Sequence, residues 1–395
     1  MPEITSFEHN GITVESNRAP SPMGALGGCV FGVVGLAPNA DPDYPRGVPI
    51  RIANLRDAAR LDMNSEESGT LWRFCNFVLS SVSLPIYVVI AEEGVDADGN
   101  PDDAATLESI AGIVDPDTGQ RSGLYALTEC QETPTHIFAP GYSNIKAISD
   151  RMVEVALRLY AIPVLDGTNT NDNDAIAQSA DMGPEGTGYE AAYLVDPWAT
   201  VYSFAAGADV LVPSSTIAAV PFGRVDPWVS PASDGGVNIS GVSRQIDYNI
   251  MDKSTGADLL MKNGVSILCR TSLGGYSLKG NRTVTGDFVN KKGLEYAIIR
   301  KLAATSEVDM AKPLTKTFMQ QKCESLNSYL QTLKADDTIM GAEVYLHPTL
   351  NSTDEYMNGT WAIAIKYAGY SPNEHMVYVL TEDTEIVESF LEEIL

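Results

Sequence analysis

The residue pattern predicts a multidomain mixed α/β chain, part α/β and part α+β, with an extended arm at each end. Three observations carry this. From Gly28 to about Asp166, short apolar runs rich in β-branched residues alternate with helix-length amphipathic stretches. A second set of helices and strands follows a Pro- and Gly-rich connector that begins at Val225. Both ends hold apolar positions at strand or helix spacing with nothing beside them in sequence to cover them. With 395 residues, 44% of them hydrophobic, and a mean hydropathy of −0.06, the chain can bury a sizeable core, and its length fits two or three globular units.

Residues 1–20 read as an arm: Ile4, Phe7, Ile12 and Val14 are its apolar positions, and Arg18-Ala19-Pro20-Ser21-Pro22 then breaks regular structure. A lone short strand leaves its own backbone groups unpaired, so it needs a sheet supplied from elsewhere. The other reading is that the terminus folds back on its own domain. Strands are expected over 29–36, 48–53, 86–91, 136–139 and 162–165, with helices over 71–82 and 144–160. The second helix carries Ile148, Met152, Val155 and Leu159 on one stripe. This order implies a mostly parallel sheet. Nine acids and no base fall between Pro85 and Gln120, which predicts an exposed, strongly negative loop and helix region.

Residues 166–240 are turn-rich, with one strand over 193–202 interrupted at Asp196-Pro197. The segment 225–236 reads as a connector, which places a boundary near 235 and leaves open a second break near 166. Beyond it come a strand over 244–248, a helix over 257–262, a strand over 265–270 and helices over 288–304 and 315–334. The last helix spaces Met319, Cys323, Leu326, Leu330 and Leu333 at alternating four and three, a continuous apolar seam. Strands over 342–347, 361–367 and 376–381 close the domain, the last through Met376, Val377 and Val379. Residues 381–395 hold six acids and no base, with Ile386, Phe390 and Ile394 at helical spacing. The expected organisation is therefore an arm over 1–20, an α/β region over 21–235, a mixed domain over 236–380 and an arm over 381–395.

A formal charge of −26 argues against nucleic acid and anionic membranes as partners, since both need clustered Lys and Arg. No window reaches the ~18 continuous apolar residues of a membrane span, and residues 1–10 lack the features of a signal peptide, so folding in cytoplasm is expected. Five cysteines are scattered, odd in number and never spaced CxxC, which supports neither a disulfide framework nor a zinc site. DADGNPDD and NTNDND lack the glycine and glutamate positions of a calcium loop and read as solvated acidic loops. Four distant histidines form no metal or catalytic motif. Gly275 and Gly280 are spaced like the glycines of a phosphate loop, but Asn281 and Arg282 stand where Lys and Ser/Thr would reach phosphate and magnesium. A tight turn positioning Arg282 for a structural contact, with its planar fork on a carboxylate or carbonyl, is the preferred reading. No catalytic residue, metal or cofactor is assigned.

Two blocks carry a resemblance. ADLLMKNGVSILCRTSLGGYSLKGNRT (257–283) and AKPLTKTF (311–318) together resemble the tail sheath subunit of contractile bacteriophages and related particles such as R-type pyocins. The resemblance rests on Leu259, Leu260, Asn263, Gly264 and Val265 as a helix-to-strand step, and on Gly274 to Thr283 as a turn. Lys279 stands where the family often has an aromatic. The resemblance implies a non-enzymatic structural subunit of the virion tail whose hexameric rings stack around a tube and shorten to drive it through the host envelope. It implies as partners further copies of the chain, a tail tube protein, and baseplate and tail terminator proteins. It further implies terminal arms inserted into neighbouring sheets, and a helix of residues 236–380 facing the tube. From Lys291 to Lys334 there are eight bases against four acids. On charge alone this is a solvated helical face, whereas the resemblance makes Lys312, Lys316, Lys322 and Lys334 tube-facing. The alternatives are an α/β enzyme holding a phosphorylated ligand at 274–283 and a receptor-binding tail protein.

Overall fold

The computed structural model describes residues 26–394 apart from 97, 184, 185 and 273. Ile4, Phe7, Ile12 and Val14 lie outside the described residues. The chain divides into two compact units. Of the described residues, one contains 28–296 together with 371–394, and the other contains 297–370 together with 26 and 27.

The first unit is built on strands β1 (Phe31–Gly35), β2 (Ile50–Ile52), β3 (Ile86–Ile90), β4 (His136–Phe138), β5 (Ile162–Asp166), β6 (Tyr193–Asp196), β7 (Ala199–Ser203), β8 (Ala208–Val212), β9 (Gly236–Val237), β10 (Gly241–Val242), β11 (Val265–Arg270) and β12 (Tyr276–Lys279). Nine of them form one sheet in the order β2-β3-β1-β4-β5-β6-β11-β12-β9. The pairs from β3 through β11 are parallel, and β2, β12 and β9 add antiparallel edges. β1, β3 and β5 are buried along their whole length. That is why they read as unbroken apolar runs rather than alternations: a parallel sheet is covered on both faces. Helix Lys146–Leu159 buries Ile148, Met152, Val155 and Leu159, the expected stripe, and stops where Tyr160 turns left-handed at φ 50°.

Several expectations change. The sheet crosses both 166 and 235, because β5 pairs with β6 and β11 joins β6, so neither point divides the chain into compact units. The stretch 193–202 is two strands in different sheets, β7 having left for the antiparallel trio β10-β7-β8. Residues 244–248 form no strand. The turn of 274–283 contains β12, paired with β11 from Ile267↔Lys279 to Arg270↔Tyr276. NTNDND is cap chemistry, not a loose loop: Asn171 accepts the Asp174 amide, and Asp172 and Asp174 occupy the first turn of helix Asp172–Met182, where carboxylates favour the helix dipole.

In the second unit, helix Lys316–Ala335 packs on the hairpin of β13 (Ile339–Leu346) and β14 (Ile363–Gly369). The helix buries Leu326, Tyr329, Leu330 and Leu333. Helix Val289–Ser306 carries the chain from the first unit to the second. The third expected strand, 376–381, is absent: those residues have no regular structure, and the chain ends in helix Thr384–Ile394. A strand needs a partner, and none of the described strands pairs with these residues.

Candidate assembly interface

In a doubly wound sheet a ligand would sit beyond the carboxyl ends of the parallel strands. Here the chain itself fills that place. Thr70 Oγ1 accepts the Leu36 amide at 3.1 Å and stands so close to Gly35 that a β-carbon there would lie 2.3 Å away. Asp166, at the end of β5, is fully buried and accepts from Gly141 N, Ser143 Oγ, Ser214 Oγ and Ser215 N at 2.7–3.2 Å. Burial pushes this carboxyl up from its ordinary value, opposed by the hydrogen bonds from Ser215, Ser143 and Gly141. Asp196, ending β6, is likewise raised by burial and opposed by the Asn169 amide and Arg244. Arg244 bridges it to Asp172. Both carboxylates are committed to holding loops in place. Of the histidines, His136 is buried in β4 while His347 and His375 lie on separate segments, and His9 is outside the described residues. Among the described residues no group of three or more His, Cys, Asp or Glu is placed to hold a metal ion.

The Gly-Asn-Arg-Thr corner makes structural contacts. Gly275 has φ 75° and Gly280 φ 133°, and Gly280 lies against Ser266, its carbonyl accepting from Tyr193 Oη at 2.9 Å. Asn281 accepts from Ser230 Oγ and from the Val289 amide. Arg282 lies over the Phe288 ring at 4.3 Å and donates through Nη1 to the Gly286 carbonyl at 2.7 Å. Its Nε and Nη2 donate to both carboxylate oxygens of Glu374, the shortest contact being 2.7 Å. Glu374 had no sequence signal: it lies 92 positions away.

Past Glu374 the chain exposes its apolar residues in sequence. Met376 is 57% exposed and the values climb through Val377, Tyr378 and Val379 to 95% at Leu380. Helix Thr384–Ile394 follows with Ile386, Val387, Phe390, Leu391 and Ile394 exposed. In the second unit, β13 and β14 pair only with each other among the described residues, so each has an open outer edge. Asn351 ties off their connection by accepting the Ala362 amide and donating to the His347 and Ala362 carbonyls.

The four lysines are not equivalent. Lys322 Nζ donates to Asp309 at 2.5 Å and Lys312 Nζ to the same carboxylate at 2.7 Å. Lys322 is only 13% exposed in its side chain. Lys316 and Lys334 are exposed, and neither forms an ion pair among the described residues. Asp309 was missed, although its i,i+3 spacing to Lys312 was there to read.

No protein-family model matches the chain. Across 379 residues it is 27% identical to a protein named as a prophage major tail sheath protein of Pseudomonas aeruginosa strain UCBPP-PA14, covering 92% of this chain and 93% of that one. It is 23% identical to the tail sheath protein of Escherichia phage P2 over 393 residues, 94% of this chain and 95% of that one. Over nearly its whole length the chain is similar to phage tail sheath proteins. The resemblance drawn from two short blocks thus extends over nearly the whole length. The sheath of an extracellular contractile injection system, PVC, solved in the contracted state, shares the fold with a TM-score of 0.65 at 15% identity, covering 97% of this chain and all of that one. These relatives are named as tail sheath proteins, and in this chain Thr70 and Asp166 occupy the carboxyl ends of β1 and β5.

Proposed function

We propose that this chain is the repeating subunit of a contractile sheath. Six copies form a ring around a tail tube, rings stack helically, and a signal from the baseplate lets the lattice shorten and widen and so drive the tube through the host envelope. The partners are other copies of the chain, the tube protein, and the baseplate and terminator proteins at the two ends. The working place is the tail of the particle, reached after assembly in host cytoplasm.

The observation that carries this reading is the run Met376–Leu380, apolar, exposed and without a strand partner among the described residues, in a chain that also holds a hairpin with two open edges. Covering a Val or Leu gains roughly 1.5–3 kcal/mol each, so the run favours burial against another copy by several kcal/mol. A strand added to an open edge is held by main-chain hydrogen bonds whatever the side chains are. Residues 1–20 act in the same way at the other end. Heterologous contacts of this kind continue without closing and give helical polymers. Contraction then needs no nucleotide, because two packings of one rigid subunit differ in free energy. The tube is met through the exposed lysines of helix Lys316–Ala335, Lys316 and Lys334 carrying more of that contact than Lys312 and Lys322, whose charge is spent on Asp309.

Negative-stain microscopy of the purified protein tests the reading. Long tubes of uniform diameter are expected, and deletion of residues 371–395 or of 1–20 leaves folded monomers without tubes. Uniform tubes formed by both truncated proteins would overturn it.

A further inference from the structure

The chain leaves the second unit at Tyr370 and rejoins the first at Ser371. From 371 to 394, Glu374 alone, among the described residues, has a hydrogen bond to a residue outside that stretch. Twenty further described residues follow it, and every one from His375 on is exposed. Its partner Arg282 is itself fixed three ways: by stacking on Phe288, by the Gly286 carbonyl, and by the bridge its backbone makes with Phe288. Asn281 Nδ2 adds a long contact of 3.5 Å to the same carboxylate. A two-oxygen grip by a planar guanidinium constrains direction as well as position, which a lysine or a single hydrogen bond does not.

We propose that Arg282 and Glu374 form the root of the C-terminal arm. They are positioning residues that fix where and in which direction the segment from His375 onward leaves its own subunit, so that it meets a neighbouring copy already oriented. The inference rests on the polymer reading above and gives the Gly-Asn-Arg-Thr corner a task in it. An arm free at Ser371 samples many directions, and ordering it costs conformational entropy on each association; an arm held at Glu374 has met part of that cost beforehand. Among the described residues the Glu374 carboxylate has hydrogen bonds to Arg282 and Asn281 alone, so releasing the grip breaks no other polar contact of that side chain.

Two measurements on full-length protein test this, comparing Glu374→Ala with Glu382→Ala, which removes an equal charge from an arm residue that makes no contact. In the monomer, spin-labelled unnatural amino acids at Asp287 and Met376 report the spread of distances across the root. A single narrow distribution is expected for the wild type and the Glu382→Ala protein, and one at least twice as broad for Glu374→Ala. In assembly, Glu374→Ala is expected to raise the critical concentration for tubes about fivefold, with unchanged melting. Equal widths in all three monomers overturn the root, whatever happens in assembly. A wild type that keeps the narrow distribution yet never polymerises counts against the sheath reading alone.

Discussion

Gly280 shows how one residue can decide a corner. Its φ of 133° is open to glycine and strained for any L side chain, and a β-carbon would lie 2.3 Å from Ser266 Oγ and 2.9 Å from Ser266 Cα. Gly280→Ala is expected to destabilise the first unit by about 2–3 kcal/mol, since both strain and overlap act, and denaturant unfolding would show it. An effect below half of that would mean β12 can shift away from β11. Asp309 is the second case. The hydrogen bond from Lys312, then that from Lys322, hold its carboxyl below the ordinary range. Its contribution to stability is therefore complete above the unfolded-state value near pH 4 and is lost as pH falls through the lower folded value. Asp309→Asn should cost about 1 kcal/mol at neutral pH and flatten the acid limb of the stability profile below about pH 4. Urea midpoints at pH 7 and pH 3 would measure both. At this scale the sequence was partly legible. The lysines could be counted and Arg282 singled out, but their partners Asp309 and Glu374 come together only through the fold.

Helices were legible where one face of each is buried, and obscure where all faces are. The helices at 146–159 and 316–335 declare themselves by their stripes. Helix Ser214–Arg224 does not: it is buried continuously from Ser214 to Phe222 and carries Pro221 inside, so it has no stripe to read. Strand 376–381 was misread for the opposite reason, an apolar run that is real but has no strand partner among the described residues. In the helix at 316–335, Leu326, Leu330 and Leu333 are buried while Met319 and Cys323 are half-buried, so the load sits in its C-terminal half, against β13. Leu330→Ala should therefore cost about 2–4 kcal/mol, and Met319→Ala under half as much. Exchange protection of β13 and β14 amides would fall with the first and hold with the second. Equal losses would mean the seam is uniform along the helix.

At the scale of the whole molecule the obstacle to assembly is charge. Each copy carries −26, and a polymer brings many copies within a few tens of ångströms of one another. At 10 mM salt the screening length is about 30 Å, so neighbouring subunits repel over their full width, whereas at 150 mM it is about 8 Å and only charges near contact still interact. Within each copy, Arg282 meets Glu374 at 2.7 Å and Lys322 meets Asp309 at 2.5 Å, both well inside either screening length, so the added salt leaves the fold of the single copy in place. Salt thus removes the repulsion between copies, while burial of the apolar run at 376–380 does not depend on charge. The critical concentration for tubes should fall by about tenfold between 10 and 150 mM salt, as sedimentation of assembled material would show. A critical concentration that rises with salt would mean that exposed lysines such as Lys316 and Lys334 meet acidic residues of the next copy, and that opposite charge rather than strand addition holds the polymer together.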